Sequence, residues 1–341
     1  MLVRGICVGV SWERAAKVIL SKPEMVNPVV KFVDLQRNES FSLEIPLHNR
    51  VFMLVYPQIR CLFEKADGKY CLNIIQRRFE RIPICGRCFL DIPSFKCLIG
   101  EPQCLEREAP KSMKCIKSGL YQNRCTVPRY HYVLVYPENS NTAYLKVGIQ
   151  RETTFPTRVL EQASLISIIY AKTPNIWKGR VVEAMSTSYL AELEGIVKNG
   201  IKIVHVSERK KVASKLEHLI KFMKSTSSTL DAFLSSKAFK SPVKGFMSLG
   251  RYVGAFLTER FKEYALDDVI VINNLEVYPY DEKALSSSKG ITHVNIEGSR
   301  TRIRGEVVGW LGSFLILVDE GRMIAVDLRR VLGHLVELRL E

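Results

Sequence analysis

The chain reads as an α+β protein built from several units, and three features of its 341 residues lead there. Residues 1–60 and 246–341 are rich in short strand-like runs, residues 61–128 hold eight of the nine cysteines, and residues 129–225 form a mixed block of strand and helix patterns. A Ser/Thr-rich stretch at 226–245 reads as a linker. Strand-rich and mixed segments that keep apart along the chain predict an α+β architecture. At this length two or three separate cores can form. The C-terminal unit is expected to be a small β-barrel.

Taken in order, Pro28–Leu35 and Ser40–Leu47 flank the turn-like Gln-Arg-Asn-Glu, which predicts a hairpin, and Val51–Pro57 continues the pattern. From Cys61 to Cys125 long apolar runs are scarce, so this segment needs staples to fold. Tyr130–Tyr136 and Ala143–Gln150 are strands around a Glu138–Thr142 turn. A helix capped by Thr154, with Pro156 in its first turn, is expected to run to Ala163. Ser164–Lys172 is a near-continuous apolar run and predicts a buried strand. Asn175 opens a long helix along Val182, Met185, Tyr189, Leu193 and Ile196, which Asn199-Gly200 ends. Ile201–Ser207 is a strand, and Val212, Leu216, Leu219 and Met223 mark a further helix. Arg302–Trp310, Ser313–Asp319, Arg322–Leu328 and Leu335–Leu340 are strands with glycine-bearing turns, at the spacing of a small barrel.

The net charge of +15 favours a polyanionic partner, and nucleic acid before a membrane surface, because no basic amphipathic anchor accompanies it. Between Ile201 and Gly245 ten Lys or Arg face only Glu208, Glu217 and Asp231. The competing reading of that stretch is a solvated lysine-rich face. The longest uncharged apolar-rich run, Val307–Val318, is twelve residues and falls short of a bilayer span. No secretory signal is visible at the start, so a cytoplasmic protein is expected.

Cys61, Cys71, Cys85, Cys88, Cys97, Cys104, Cys115 and Cys125 fall within 65 residues. Thiolates are soft ligands, and zinc takes four in a tetrahedron, so eight can fill one or two structural zinc sites. Only Cys85-Gly-Arg-Cys88 has the short gap of a zinc knuckle; the other spacings are long, and the pairing stays open. Disulfides and plain core cysteines are the alternatives.

The cysteine series, followed by HYVLVY, LKVGIQR, PTRVLEQAS, GRVVEAMST and RGEVVGWLGSFLILV, resembles the prokaryotic domain of unknown function 2797 over roughly residues 40–341. Its most specific piece is Pro156-Thr157-Arg158 with Gln162, following Lys146-Val147-Gly148-Ile149. Gln150, Val159 and Ala163-Ser164 depart from the family pattern, and Cys61 stands where the family has a Cys pair, with Cys71 a displaced candidate. The order of strand with tyrosine, strand with Lys-Val-Gly, helix with arginine, strand, and helix with glutamate also resembles a GIY-YIG nuclease. That resemblance implies a three-stranded sheet with helices and a Mg²⁺- or Mn²⁺-dependent phosphodiesterase. It assigns Tyr132 to the attacking water, Gly148 to close backbone approach, Arg158 to phosphate and Glu183 to the divalent metal. Lys146 takes the place of the second motif's tyrosine.

The chemistry is consistent on its own terms. Phosphodiester hydrolysis needs a hard cation, activated water and positive charge at the developing phosphorane. A lone carboxylate such as Glu183 suits Mg²⁺, and Arg158 offers a bidentate fork. Arg151, Arg180, Lys210 and Lys211 are the further candidates for nucleic-acid contact. Two other readings stand beside the nuclease: a non-catalytic, zinc-containing nucleic-acid binder on the same fold, and a scaffold. Arg180 and Glu183 at i,i+3 also fit a plain ion pair.

Overall fold

The computed structural model describes residues 1–16, 24–65, 67–76, 82–108, 111, 113–205, 213–227, 241–296 and 299–341. The chain opens with β1 (Leu2–Ser11), β2 (Val29–Val33), β3 (Ser40–Glu44), β4 (Arg50–Arg60) and the short β5 (Ile74–Ile75). Three helices of four or five residues follow in the cysteine-rich segment: α1 (Gly86–Leu90), α2 (Phe95–Leu98) and α3 (Met113–Lys117), then a π turn at Tyr121–Cys125. Next come β6 (Arg129–Asn139), β7 (Thr142–Arg151), α4 (Thr157–Leu160), β8 (Ile166–Thr173), α5 (Ile176–Ala191), β9 (Val197–Lys198) and β10 (Ile201–His205). The chain continues through α6 (Ala213–Ser227), α7 (Ser241–Arg260), β11 (Ala265–Asn273), α8 (Glu282–Ser287), β12 (Lys289–His293) and β13 (Thr301–Leu311). It ends with β14 (Phe314–Asp319), β15 (Arg322–Asp327), α9 (Leu328–Val331) and β16 (His334–Leu340).

These elements form an α+β protein with two main sheets. The larger has the order β12-β15-β14-β13-β4-β16-β1-β2-β3, with β5 on β4, and curves as a half-barrel. The strands expected in the C-terminal barrel are all present, but β4 sits between β13 and β16: Val55 faces Thr301 on one side and Val336 on the other. N-terminal strands thus complete a sheet whose other half is C-terminal. Trp310 and Phe314 belong to the core; the Trp310 indole donates to the Ile45 carbonyl at 3.0 Å.

The second sheet runs β11-β8-β6-β7-β10-β9. Its centre is the expected three-stranded unit. Val133, Leu134, Val135, Ile166, Ile168 and Ile169 are fully buried because both faces are covered. On one side lies α7, whose Phe246, Leu249, Val253 and Leu257 are buried at helical spacing. A Cβ at its Gly254 would lie 2.4 Å from Val269, so the small residue sets how closely helix and sheet approach. This helix corrects the expectation of a linker to residue 245 followed by strands, and its buried residues fall at helical spacing.

Two helices are shorter than the sequence suggested. Only one turn forms at α4, because Gln150 takes over its start: its amide donates to the Thr154 carbonyl and its oxygen accepts from the Val159 N–H at 3.2 Å. The long α5 stops at Ala191, and Gly195, at φ +81°, turns its N–H to the Ile203 carbonyl of β10. Asn175 does cap α5, accepting from the Lys178 N–H at 3.0 Å. No helix among the described residues is long and apolar enough to cross a membrane.

Candidate functional site

The tightest cluster of metal-ligating groups among the described residues is cysteine. The Sγ atoms of Cys61, Cys71, Cys85 and Cys88 all lie within 4.8 Å of one another. Cys61 follows β4 and pairs backbone-to-backbone with Leu72, Cys71 pairs with Phe63, and Cys85 and Cys88 lie at the cap and within α1. This two-stranded arm and helix turn bring residues ten, fourteen and three positions apart to one point. Phe63, Ile75, Ile84, Ile92 and Leu120 pack around them as a small separate core. Burial pushes the Cys61 thiol up to about 11. Burial also acts to raise Cys85, but the Cys88 N–H, which donates to its sulfur, and side-chain hydrogen bonds with Cys88, Cys61 and Cys71 bring it down to about 7. Four sulfurs in this arrangement fit a tetrahedral structural metal such as zinc, which supplies the charge to ionise them.

The other four cysteines are likewise in no disulfide, and they are not gathered within metal-ligand distance as the first four are. Cys104 interacts electrostatically with Cys97 and Cys115, and Cys125 with Cys115, Cys104 and Cys97.

A polar cluster lies on the second sheet. Tyr132 of β6 is directly opposite Gly148 of β7, and a Cβ at Gly148 would sit 2.5–2.7 Å from the tyrosine ring. Only glycine leaves room for the ring there. Gln162 is the hub around the phenol: its Nε2 donates to Tyr132 Oη at 2.9 Å and to the Arg158 carbonyl at 2.9 Å, and its Oε1 accepts from Lys146. Tyr132 is buried, which raises its phenol to about 12, and Arg158, Glu161 and Glu183 act on it electrostatically. Arg158 in turn hydrogen-bonds Tyr132 and interacts with Glu161 and Glu183. Tyr132, Lys146, Gly148 and Arg158 thus meet around Gln162, and Glu183 acts on Tyr132 and Arg158 through its charge.

Glu183 makes an ion pair with Arg180 on the same helix. The Arg180 fork is committed further: Nε donates to the Gly100 carbonyl and Nη2 to the Ile99 carbonyl at 3.3 Å. Arg151 donates to the Asn123 carbonyl at 3.1 Å and belongs to a group of arginines. Arg129 feels the like charges of Arg151, Arg180 and Arg124, and Arg151 that of Arg158. Lys210 and Lys211 lie outside the described residues.

Three contributors were not among the residues expected to carry the chemistry. Gln162 was visible as part of the Pro-Thr-Arg segment but not as the hub. Glu161, whose carboxyl is raised by burial against the pull of Arg158, Arg329 and Lys146, could be read from the sequence only as an ion-pair partner for Arg158. Arg329, which forks onto Asp327 with two contacts of 2.9 Å, had no pattern to mark it. The half-barrel packs closely on the end of α4: Gly312, at φ +68°, leaves no room for a Cβ, which would be 2.5 Å from the Ala163 nitrogen, and Ser313 N–H donates to the Glu161 carbonyl at 2.9 Å.

No curated protein and no solved structure matches the chain. A protein-family profile does, over residues 55–336, from the arm of the cysteine site through the polar cluster to the last strand of the half-barrel. By that match, the chain belongs to the family described as protein of unknown function DUF2797.

Proposed function

We propose that this is a nucleic-acid-binding protein whose Tyr132–Arg158–Glu183 cluster receives a phosphodiester and hydrolyses it with a divalent metal. The observation that carries the reading is the packing of Tyr132 over Gly148 with Arg158 and Glu183 both in electrostatic reach of the phenol. It supports the likeness to a GIY-YIG nuclease at the positions where that likeness makes its demands.

In this reading Arg158, exposed at the surface, takes phosphate through its fork, and the arginines at 124, 129 and 151 extend the positive field. Gln162 holds the Tyr132 phenol by donating to its oxygen, which leaves the phenol O–H free to donate to a water or phosphate oxygen. Lys146, held on the same amide, adds charge at the far side. Glu183 is the carboxylate that would hold Mg²⁺ or Mn²⁺, with Arg180 exchanging from ion-pair partner to neighbour. Such an ion supplies Lewis acidity and lowers the pKa of bound water.

A second reading has its own observation. Arg180 already neutralises Glu183 and is itself fastened to two carbonyls, which favours a silent binder on the same fold. The two readings separate in one assay. The purified protein is incubated with labelled single- and double-stranded DNA and RNA, with Mg²⁺, with Mn²⁺ and with chelator, while binding is followed against salt. Hydrolysis that needs the divalent ion and falls about a hundredfold or more in Glu183→Ala and Arg158→Ala is expected. Salt-sensitive binding without cleavage under any metal supports the silent binder. Absence of both binding and cleavage sinks the proposal.

A further inference from the structure

We propose that a small cavity beside Arg158, edged by Glu161 and Arg329, takes a single nucleobase out of a strand and selects guanine. The pocket rests on the proposed function for the strand that supplies the base.

The space comes first. The cavity has a volume of about 170 Å³. An engineered cavity of ~150 Å³ in a protein core holds benzene, so this one is of the size that admits a planar ring. Its apolar walls are Val8 and Val10 of β1 with Leu328 and Leu332 of α9 and the turn after it. A bulge shapes one wall. β1 pairs with β2 from Cys7 to Phe32 and then from Gly9 to Lys31, which leaves Val8 without an opposite residue. Such a bulge bends its strand and re-aims side chains, and bulges recur beside functional sites. A Cβ on Gly9 would meet only Leu332, at 3.9 Å, so the backbone leaves room there. Val8, Val10, Glu161, Arg329 and Leu332 are all half-buried, and the cavity reaches the surface between them.

The polar edge selects the ligand. It consists of Glu161, Ser313 and Arg329. Asp327 fixes two of these: it accepts from Ser313 Oγ at 3.1 Å and from Arg329 Nε and Nη2 at 2.9 Å each. Ser313 N–H donates to the Glu161 carbonyl at 2.9 Å, which ties the third to them. Arg329 Nη1 and the Glu161 carboxylate make no hydrogen bond among the described residues. A half-buried carboxylate short of donors is costly, and burial raises the Glu161 carboxyl accordingly. It calls for N–H groups. Among the common bases guanine alone carries two adjacent donors, N1–H and the 2-amino group, beside the acceptor O6. A carboxylate accepts such a pair in bidentate fashion, and an arginine N–H donates to O6. Adenine and cytosine put a ring acceptor beside their single amino donor, and thymine flanks one N–H with two carbonyls. Each of these sets lone pairs against lone pairs.

The place fits a strand. Glu161 ends α4, three residues after Arg158. Residues so spaced share a helix face, with Cβ atoms about 5–6 Å apart. That is the scale of the step from a base to its own phosphate. A nucleotide whose phosphate meets the Arg158 fork can therefore lay its base in the cavity. Gln162, the next residue, holds Tyr132 Oη at 2.9 Å, so pocket and cluster adjoin. Unstacked bases are held between side chains and read along their pairing edge in this manner.

The test uses the full chain with chelator present, so that no strand is cut. Affinity is measured by fluorescence anisotropy for short labelled thymidine strands carrying one central guanine, hypoxanthine, adenine or cytosine, and for all-thymine. The guanine strand should bind about tenfold or more tighter than the adenine, cytosine and all-thymine strands. Hypoxanthine, which keeps N1–H and lacks the 2-amino group, should fall between. In Glu161→Gln the guanine preference should drop to within about twofold, because the amide sets a donor where the base needs an acceptor. Loss of charge alone shifts all strands together and leaves their ratio unchanged. Wild-type affinities within about twofold for every strand overturn the pocket, whether or not the variant folds. A preference that survives Glu161→Gln in protein folded by circular dichroism overturns it as well. GMP separates a free nucleotide from a strand. If GMP binds, loses its binding in Glu161→Gln, and no strand binds, the guanine pocket stands and the proposed function falls. Salt-sensitive binding of all strands alike, with cleavage once Mg²⁺ is restored, overturns the pocket and leaves the proposed function standing.

Discussion

The cysteine-rich segment and the central sheet lie next to each other in the chain and are held together by different forces. In β6 and β8 the side chains of Val133, Leu134, Val135, Ile166, Ile168 and Ile169 are fully out of water, and hydrophobic burial of that extent sustains the strands without help. In the segment from Cys61 to Cys125 the helices are four or five residues long, below the length at which a helix is stable alone, and the core around Cys61 and Cys88 is small. Its organisation depends on sulfur. The lesson is that one protein can join a scaffold held by apolar burial to a module with little core, whose four clustered cysteines fit a structural metal.

The largest expected effect tests that division directly. Stripping metal with a strong chelator, or replacing Cys85 and Cys88 by serine, should melt residues 61–92 while β6–β8 stay protected in hydrogen exchange. Structural zinc binding is worth on the order of 10 kcal/mol, far more than the small core can replace. A segment that keeps its protection without metal would erase the distinction between the two regions.

The converse perturbation is smaller. Gly148→Ala drives a methyl into the Tyr132 ring and should cost about 1–3 kcal/mol, seen as a lower thermal midpoint with zinc content unchanged. Wild-type stability in this variant would mean that the ring can leave Gly148 freely, and would weaken the proposed site.

The smallest effect separates the two regions by acid. His131 of β6 is fully buried, its Nε2 lies 3.0 Å from Thr173 Oγ1, and burial, then Arg129, lowers its pKa from 6.5 to about 3. The unfolded chain therefore takes up a proton between pH 6.5 and 3 that the folded chain refuses. The full stability is present above pH 6.5 and is lost as pH falls through that window, at up to about 1.4 kcal/mol per pH unit. Denaturant titrations at pH 7 and 5.5 should show this loss, and His131→Leu should remove it while leaving any loss due to acid release of metal. An identical slope in the variant would remove His131 as a source of the acid sensitivity.

Gln162 illustrates how much of the site could be read in advance. The segment Pro156-Thr157-Arg158 through Gln162 and the Lys146-Val147-Gly148 strand were recognisable, and so was the set Tyr132, Arg158 and Glu183. That one amide joins Tyr132, Lys146 and the Arg158 carbonyl is a matter of three elements meeting, and nothing in the spacing announces it. Arg180 taught the opposite lesson. As a phosphate contact it looked available, yet its fork is taken up by Glu183 and by a loop eighty residues earlier.

What the sequence determined alone was local. Apolar runs and helical spacing gave β6, β7, β8 and β13 to β16, the Asn175 cap placed the start of α5, and the cysteine density marked a segment that needs staples. These signals depend on neighbours within a turn or a strand. The tertiary structure decided what depends on distant partners: that β4 lies between β13 and β16, and that Cys61 and Cys71 join Cys85 and Cys88. Loop closure costs rise only slowly with loop length, so chain spacing discriminates weakly among pairings, and the choice falls to backbone ladders and buried contacts that exist only once the chain is folded.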